Sequence, residues 1–268
     1  MRIVRTVAEV GEALRGPRAR GQRIGLVPTM GAFHAGHIAL MRAARDDSDV
    51  VVVSLFVNPS QFNAAEDLAR YPRDEAADRR VAADAGVDLV FAPSVDELYP
   101  DGFDTWVEPG ELATVLEGAA RPGHFRGVAT VCTKLFAIVG PDVAWFGQKD
   151  AQQVAVIRQV VADLNLPLSI EVAATVRDPD GLALSSRNVF LTSEERVVAL
   201  ALPRALDAGA TAHAAGRDPV TSARSMLDAE PRLILEYIAV ADFGAPTLVA
   251  AVRVGETRLI DNVVLADS

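Results

Sequence analysis

The sequence contains a single cysteine, Cys132, and few histidines, with only four in the chain. One cysteine excludes a disulfide within the chain and is typical of proteins from a reducing compartment. Because Cys132 lies in the mostly apolar stretch Val128–Val139, we expect a buried structural thiol rather than a nucleophile.

No stretch approaches the roughly 18 consecutive apolar residues that a membrane-spanning helix needs. The N-terminal stretch MRIVRTVAEVGEALRG also lacks the apolar block and cleavage site of a secretory signal. We therefore expect a cytoplasmic protein with no membrane partner. The net charge of −10 argues against broad nucleic-acid binding, which needs a basic face. A local basic pocket remains compatible with that charge.

Half of the 268 residues are hydrophobic, which is enough to form the core of one large domain or of two smaller ones. In the first two thirds, short apolar runs alternate with helical patterns, which predicts a doubly wound α/β parallel sheet. The run Val50–Val57 is nearly continuous, as in a strand with both faces covered. The predicted strands are Arg23–Val27, Val50–Val57, Asp88–Ala92, Asp142–Phe146 and Ser169–Thr175, with mixed strand and short helix over Thr105–Glu117.

The pattern changes near Arg177, which predicts a smaller C-terminal α+β domain. Thr192 with Glu195 three residues later predicts a helix-capping box, and helical sequence continues to about Ala229. Three apolar segments then predict an antiparallel ribbon over Leu235–Ala241, Thr247–Val254 and Arg258–Val264. We expect domains at residues 1–176 and 177–268.

A histidine motif, P-T-M-G-A-F-H-A-G-H-I-A-L, occupies Pro28–Leu40 between a predicted strand and a helix that begins near Ala35. His34 and His37 are three residues apart, so they share one face of a first helical turn. The N–H groups at a helix start attract anions, and the glycines allow close backbone approach. The motif therefore predicts a phosphate site.

Two alternatives to a phosphate site remain open from the residues alone. Histidines are often purely structural, and a pair of them can bind zinc. Metalloprotease helices place two histidines four apart with a glutamate between them, whereas here the spacing is three and no carboxylate intervenes.

Three further stretches place polar residues where strands end. Asn58–Phe62 carries Gln61, whose amide suits a carboxylate. Trp145–Gln153 carries Lys149, a compact positive charge at a helix start. Gly181–Asn188 contains two hydroxyls and a guanidinium, which suit phosphate. Each stretch taken alone is also compatible with an ordinary turn or helix cap.

Taken together, these motifs resemble a known family. H-A-G-H after a strand and a later S-S-R-N loop resemble the nucleotidyltransferase superfamily, which includes class I aminoacyl-tRNA synthetases. P-T-M-G-A-F-H-A-G-H, F-V-N-P-S-Q-F, Y-P-R-D, H-F-R-G-V-A-T-V, F-G-Q-K-D-A-Q-Q and L-S-S-R-N have the order and spacing of the pantothenate synthetase family. The resemblance is strong from Pro28 to about Leu191 and weaker elsewhere.

The resemblance implies a Rossmann-like N-terminal domain, a C-terminal lid domain and a homodimer. It implies an ATP-dependent ligase that joins pantoate to β-alanine through pantoyl adenylate, with Mg²⁺ held mainly by the phosphates and water rather than by protein ligands. Implied catalytic residues are His37, His34 and Lys149. Implied ATP-binding residues are Met30, Gly31, Ala32, Phe33, His34, Ala35, Gly36, His37, Gly147, Gln148, Lys149, Asp150, Val176, Leu184, Ser185, Ser186 and Arg187. Implied pantoate-binding residues are Gln61, Gln153 and Asn58, and the implied β-alanine-binding residue is Gln61.

The sequence departs from the family pattern at a few positions. Phe33, Gln148 and Leu184 stand where Leu, Glu and Met are common, and these changes preserve the expected chemistry. Ala151 stands where the family has Tyr, so we expect a gap beside the pocket and reduced activity.

The rival functions are a nucleotidyltransferase acting on a phosphate ester and a non-catalytic nucleotide sensor. A nicotinamide dehydrogenase is disfavoured because no strand precedes G-x-G-x-x-G.

Overall fold

The structure is a computed structural model that describes residues 1–63 and 65–265. The chain forms two compact units. The first consists of Met1–Gly147 and Gln152–Ala173, and the second of Gln148–Ala151 and the chain from Ala174 onward. The predicted boundary after residue 176 lies shortly beyond Ala173, whereas no pattern in the sequence indicated that residues 148–151 belong with the C-terminal part.

The first unit is built on a six-stranded sheet with the order β1-β4-β3-β2-β5-β6, in which all pairs are parallel. Its strands are β1 Arg2–Val4, β2 Ile24–Thr29, β3 Val50–Leu55, β4 Leu89–Phe91, β5 Val143–Gly147 and β6 Ser169–Ala173. Its helices are α1 Val7–Ala19, α2 Ala35–Asp47, α3 Ala65–Arg70, α4 Glu75–Asp84, α5 Val95–Leu98, α6 Glu117–Ala120, α7 His124–Val139 and α8 Ala151–Asp163.

Both faces of this sheet are covered by apolar side chains. Val50 and Val52 of β3 belong to one buried cluster, together with side chains of α1, α7 and α8. Val51 and Val53 belong to a second cluster, with side chains of α2 and α4. This two-sided burial explains the continuous apolar run in the sequence. The prediction of a doubly wound parallel sheet is confirmed.

The second unit carries an antiparallel sheet in the order β7-β8-β9, which confirms the predicted ribbon. Its elements are α9 Ser193–Ala199, α10 Ala201–Ala214, α11 Pro219–Asp228, β7 Leu233–Asp242, β8 Pro246–Val254 and β9 Thr257–Val264. The helices and strands share one buried apolar cluster. The predicted capping box of Thr192 and Glu195 is present at the start of α9.

The helical sequence predicted to about Ala229 forms three helices, α9, α10 and α11, the last of which ends at Asp228. Pro203 explains the first break, since a proline ring clashes with the carbonyl four residues earlier, and α9 ends at that residue, Ala199. Gly216, with a positive φ of 68°, follows α10, and Asp218 caps α11 ahead of Pro219.

The strand predicted within Thr105–Glu117 is also absent from the described residues. The segment contains a short 3₁₀ turn at Glu111–Ala113, and α6 starts at Glu117. Side chains rather than a neighbouring strand supply its hydrogen bonds. The Thr130 hydroxyl accepts from the N–H of Val107 at 3.0 Å. The spacing of apolar residues in the sequence cannot reveal a hydrogen bond from a distant side chain. Within the described part of the chain, no helix has the length and apolar character needed to cross a membrane.

Candidate active site

The strand order of the first unit defines where a ligand crevice forms. From β2 the chain moves through β3 and β4 towards one edge of the sheet, whereas β5 and β6 lie on the other side of β2. In open α/β sheets, ligands bind at the carboxyl ends of the two strands that flank such a switch point. Here those strands are β2, which leads into the histidine motif, and β5, which ends at Gly147.

The turn after β2 has an unusual backbone that is held from a distant helix. Gly31 and Ala32 both have positive φ, of 87° and 54°, so two successive residues are left-handed. That conformation is costly for alanine. The buried carboxylate of Asp78, on α4, accepts hydrogen bonds from the N–H of Ala32 at 3.0 Å and of Phe33 at 2.7 Å. Asp78 therefore fixes the shape of the turn.

The two histidines cap α2, which begins at Ala35 as predicted. His34 is the N-cap residue, and its Nδ1 accepts from the N–H of Gly36 at 3.1 Å. The Nδ1 of His37 accepts from the N–H of His34 at 3.3 Å, and the ring centroids are 4.2 Å apart. A Cβ on Gly36 would lie 2.9 Å from the His34 ring, so this cap requires glycine.

The caps have a chemical consequence for both rings. Since each Nδ1 is an acceptor, a neutral ring carries its proton on Nε2. The turn thus combines two imidazole Nε2–H donors with the N-terminus of a 13-residue helix. The structural role that the sequence left open for His34 and His37 is real, and it is compatible with anion binding.

Gln61 lies next to this turn at the end of a neighbouring strand. It is buried, at 8% exposed, and its Nε2 contacts the sulfur of Met30 at 3.3 Å. Asn58 donates to the Gln61 side-chain oxygen at 3.0 Å and to the carbonyl of Gly127 at 3.2 Å. The hydroxyl of Tyr99 in turn donates to Asn58 at 2.9 Å. Burial raises the pKa of Tyr99, so this donor keeps its proton.

The backbone of Gln61 is also fixed, by Arg121 just after α6 and by His124 at the start of α7. His124 Nδ1 lies 2.9 Å and Arg121 Nη2 lies 3.2 Å from the Gln61 carbonyl oxygen. Arg121 also donates to His124 Nε2 at 3.2 Å, which assigns the ring proton to Nδ1. A Cβ on Gly127 would lie 2.7 Å from the Gln61 nitrogen and would clash with the Ser60 carbonyl. The H-F-R-G motif therefore seats the Gln61 loop on α7.

The two adjacent glutamines of α8 differ sharply. Gln152 is buried, and its amide donates to the carbonyls of Leu112 and Val115 while its oxygen accepts from the N–H of Glu117. Gln153 is half-buried, and its side chain makes no hydrogen bond among the described residues. Ala151 is buried, at 5% exposed, and the gap expected beside the pocket stays a prediction.

In the second unit, the segment Gln148–Asp150 forms a 3₁₀ turn against β9. Asn262 of β9 donates to the carbonyls of Gln148 and Lys149, both at 2.9 Å, and accepts from the Gln148 amide at 3.2 Å. Lys149 Nζ lies 3.9 Å from Asp150. Gly147 precedes this turn, and a Cβ placed on it meets no atom within 4 Å, so packing does not demand glycine there.

The third predicted stretch is a short hairpin in the second unit. The N–H of Leu184 donates to the carbonyl of Val176 at 3.0 Å, and Ser185 caps a 3₁₀ turn at Ser186–Phe190 by accepting from the N–H of Arg187. The hairpin is anchored by Arg177, which makes a two-bond ion pair with the buried carboxylate of Asp261. Hydrogen bonding to Asp261 raises the pKa of Arg177, so the guanidinium keeps its charge.

Sequence reasoning found the polar stretches but not their supports. Asp78, Tyr99, His124, Gln152 and Asn262 each hold a predicted segment, and their roles were not predicted. A usable signal lay at His124, a polar residue at the start of the apolar helix α7. Among residues 1–63 and 65–265, no group of three His, Cys, Asp or Glu side chains is placed to hold a metal ion.

The fold and this turn define a class of protein: doubly wound α/β proteins with an anion-binding helix start at the switch point of the sheet. Comparison with known proteins narrows the class. The family model described as pantoate-beta-alanine ligase matches residues 2–264. The chain belongs to this family, which confirms the family predicted from its sequence.

Individual relatives agree over their whole length. The chain is 52% identical to a pantothenate synthetase of Moorella thermoacetica over 279 residues, covering 99% of each chain. It is 45% identical to a pantothenate synthetase structure from Thermus thermophilus, with a TM-score of 0.95 and complete coverage of both chains. A Francisella tularensis pantoate-beta-alanine ligase, solved with beta-gamma ATP and beta-alanine, is 37% identical with a TM-score of 0.85, covering 100% of this chain and 99% of that one.

Proposed function

We propose that this chain joins pantoate to β-alanine in two steps that use ATP. In the first, the pantoate carboxylate attacks the α-phosphorus of ATP, giving pantoyl adenylate and pyrophosphate. In the second, the amine of β-alanine attacks the acyl carbon, and AMP leaves. Family membership over residues 2–264 supports this reaction, and the relative crystallised with ATP and β-alanine supports both ligands.

The first step needs positive charge around the phosphates. Negative charge grows on the phosphoryl oxygens and on the leaving pyrophosphate, and oriented donors lower the energy of that state. We assign this role to the Nε2–H groups of His34 and His37 and to the ammonium of Lys149. The left-handed turn of Met30–Phe33 and the N-terminus of α2 complete the proposed phosphate site.

The remaining nucleotide contacts are proposals that follow the family resemblance. Gly147, Gln148 and Asp150 bind ATP beside Lys149, and Val176 meets adenine through its backbone. Leu184, Ser185, Ser186 and Arg187 cover the triphosphate, so that residues 177–268 act as a lid that keeps water from the adenylate.

Two amide side chains are proposed to present the acid. Gln61 and Gln153 are neutral, so they suit a small hydroxy acid better than a second phosphate ester. Asn58 fixes Gln61 by the hydrogen bond described above. Because Gln61 is held at both its side chain and its carbonyl, it is prepositioned for pantoate and then for β-alanine.

Mg²⁺, a homodimer and a cytoplasmic location complete the proposal. Mg²⁺ neutralises phosphate charge when bound, and it commonly binds through phosphates and water. The imidazole and ammonium groups of the proposed site suit phosphate oxygens rather than a cation, so Mg²⁺ would reach the site together with the phosphates. The chain itself would then contribute the cations and N–H groups named above.

The geometry of the histidine turn at the switch point is the observation that carries the proposal. It is tested by measuring pyrophosphate release with ATP and pantoate, and AMP release after β-alanine is added. We expect pyrophosphate without β-alanine, and AMP only with it. His37→Ala or Lys149→Ala should slow the first step far more than it weakens pantoate binding.

Matched variants are available for both residues. His213 lies in the last turn of α10, and Arg15 is an exposed cation on α1. His213→Ala and Arg15→Ala should leave the rate of pyrophosphate release within about twofold of the unmodified chain, as expected for substitutions away from the chemistry. Pyrophosphate release that does not depend on pantoate, or equal losses in test and control variants, would contradict the proposal.

A further inference from the structure

The contact between Asn262 and the lysine turn suggests a role beyond folding. The Asn262 side chain is 5% exposed and uses both its donor and its acceptor atoms on Gln148 and Lys149. An amide is the side chain that offers two donors and an acceptor in one plane. Its three hydrogen bonds join the Gln148 carbonyl at 2.9 Å, the Lys149 carbonyl at 2.9 Å and the Gln148 side-chain amide at 3.2 Å.

We propose that Asn262 is a positioning residue that sets the direction of the Lys149 ammonium towards bound ATP. This inference rests on the proposed function, which places Lys149 on the phosphates. The Lys149 side chain is 20% exposed, so most of its stem is confined, and its backbone therefore determines where the ammonium lies. Rotation of the Gln148–Lys149 peptides would therefore redirect that charge.

The next residue of the same strand extends the argument. Asp261 accepts from the N–H of Asn262 at 2.8 Å and also binds Arg177, at the base of the hairpin that carries Leu184–Arg187. One dipeptide of β9 thus anchors both nucleotide-binding stretches assigned to the second unit. Asn262 fixes the lysine turn, Asp261 fixes the hairpin, and the bond between them keeps the two anchors in register.

The test is the affinity for ATP, measured by calorimetry, of Asn262→Ala in two backgrounds. With Lys149 present, loss of the tether should weaken ATP binding by about tenfold, since three hydrogen bonds fix the turn. In a Lys149→Ala background, the same change should cost less than about twofold, because residues that act through one another are not additive. Asn262→Asp keeps the acceptor but loses both donors, so it should resemble Asn262→Ala.

Hydrogen exchange provides a second readout that is independent of activity. In Asn262→Ala, the amides of residues 148–150 should exchange faster, whereas those of the β7–β8 ladder should not change. The matched control is Glu236→Gln. Glu236 accepts from Arg253 and Arg258 within the same sheet, so this variant perturbs the sheet without touching the lysine turn. It should alter ATP affinity by less than about twofold.

Equal losses of ATP affinity in both backgrounds would overturn the positioning role, as would unchanged exchange at residues 148–150. An Asn262→Asp variant with normal ATP affinity would also overturn it, since the donors would then be dispensable. A chain that binds ATP but releases no pyrophosphate with pantoate would instead refute the proposed function. The affinity and exchange measurements would still decide the role of Asn262 in that case.

Discussion

Asp78 accepts a 2.7 Å hydrogen bond from the backbone N–H of Phe33, although the two residues lie 45 positions apart in the chain. The same carboxylate binds the N–H of Ala32, and it is only 4% exposed. A carboxylate of α4 thereby holds the left-handed turn that leads into the histidine cap. The shape of the proposed phosphate site depends on a residue outside the motif.

We predict that Asp78→Ala lowers the free energy of unfolding by about 1–3 kcal/mol, because two backbone N–H groups lose their acceptor. Pyrophosphate release should fall as well, since the turn is then free to leave its left-handed conformation. Asp78→Asn keeps one acceptor, so its losses should be smaller than those of Asp78→Ala. Urea unfolding and the pyrophosphate assay measure both effects. If Asp78→Ala changed neither the free energy of unfolding nor pyrophosphate release, the turn would keep its conformation without Asp78.

Gly127→Ala should damage the Gln61 loop specifically. The new Cβ would lie 2.7 Å from the Gln61 nitrogen and would clash with the Ser60 carbonyl, so the loop must shift. Overpacking of this kind costs about 1–3 kcal/mol, and we expect KM for pantoate to rise more than KM for ATP. The control is Gly11→Ala in α1, where a Cβ meets no atom within 4 Å. It should be neutral or stabilising. Equal rises in both KM values would argue against the assignment of Gln61 to pantoate.

Gln152 and Gln153 form a matched pair of neighbouring amides. Gln152→Glu keeps the acceptor for Glu117 but loses the donors to two buried carbonyls, so the free energy of unfolding should drop by about 1–3 kcal/mol. Gln153→Ala should leave stability nearly unchanged and raise KM for pantoate. Thermal unfolding and steady-state kinetics on both variants separate the roles. A large loss of stability in Gln153→Ala with no change in KM would reverse our assignment.

Cys132 should resist thiol reagents in the folded protein. Burial raises the pKa of its thiol from 9.0 to about 12, so the reactive thiolate is scarce at neutral pH. Ellman's reagent should react quickly only after unfolding. Rapid modification of the folded chain would show that this part of α7 opens.

The same shift gives a pH dependence of stability. The folded thiol keeps its proton above pH 9, whereas the unfolded thiol releases it. The contribution of Cys132 is therefore complete below pH 9 and is lost as the pH rises towards 12. The difference in unfolding free energy between the unmodified chain and Cys132→Ala should shrink between pH 7 and pH 10. A difference that is constant over this range would contradict the assigned burial.

The parts of the fold that were predicted correctly have local causes. The continuous run of valines in β3 follows from burial on both faces, and the box of Thr192 and Glu195 needs only residues three apart. The start of α2 at Ala35 is local in the same way. The strand predicted within Thr105–Glu117 failed because side chains of Thr130 and Gln152 replace the neighbouring strand.

The supports of the candidate site could not be predicted, because their partners are distant in sequence. Gln148 and Asn262 are 114 residues apart, and Ala32 and Asp78 are 46 apart. A lone Asn at the end of a strand or an Asp in a charged helix has the appearance of a solvated surface residue. The ligand contacts assigned to Lys149, Val176 and Ser186 stay predictions.

The assignment of Gln148–Ala151 to the second unit limits how the chain can be divided. A fragment ending at Ala173 would retain all six parallel strands and both motif histidines. Lys149, however, would have lost β9, the strand that orients it. Exchanging the chain after Ala173 between relatives would succeed only when the donor's segment brings a compatible asparagine. Simple fusion of two self-sufficient modules is thus a poor description of how this ligase evolved. Its second unit includes Gln148–Ala151, a segment that lies within the sequence of the first unit.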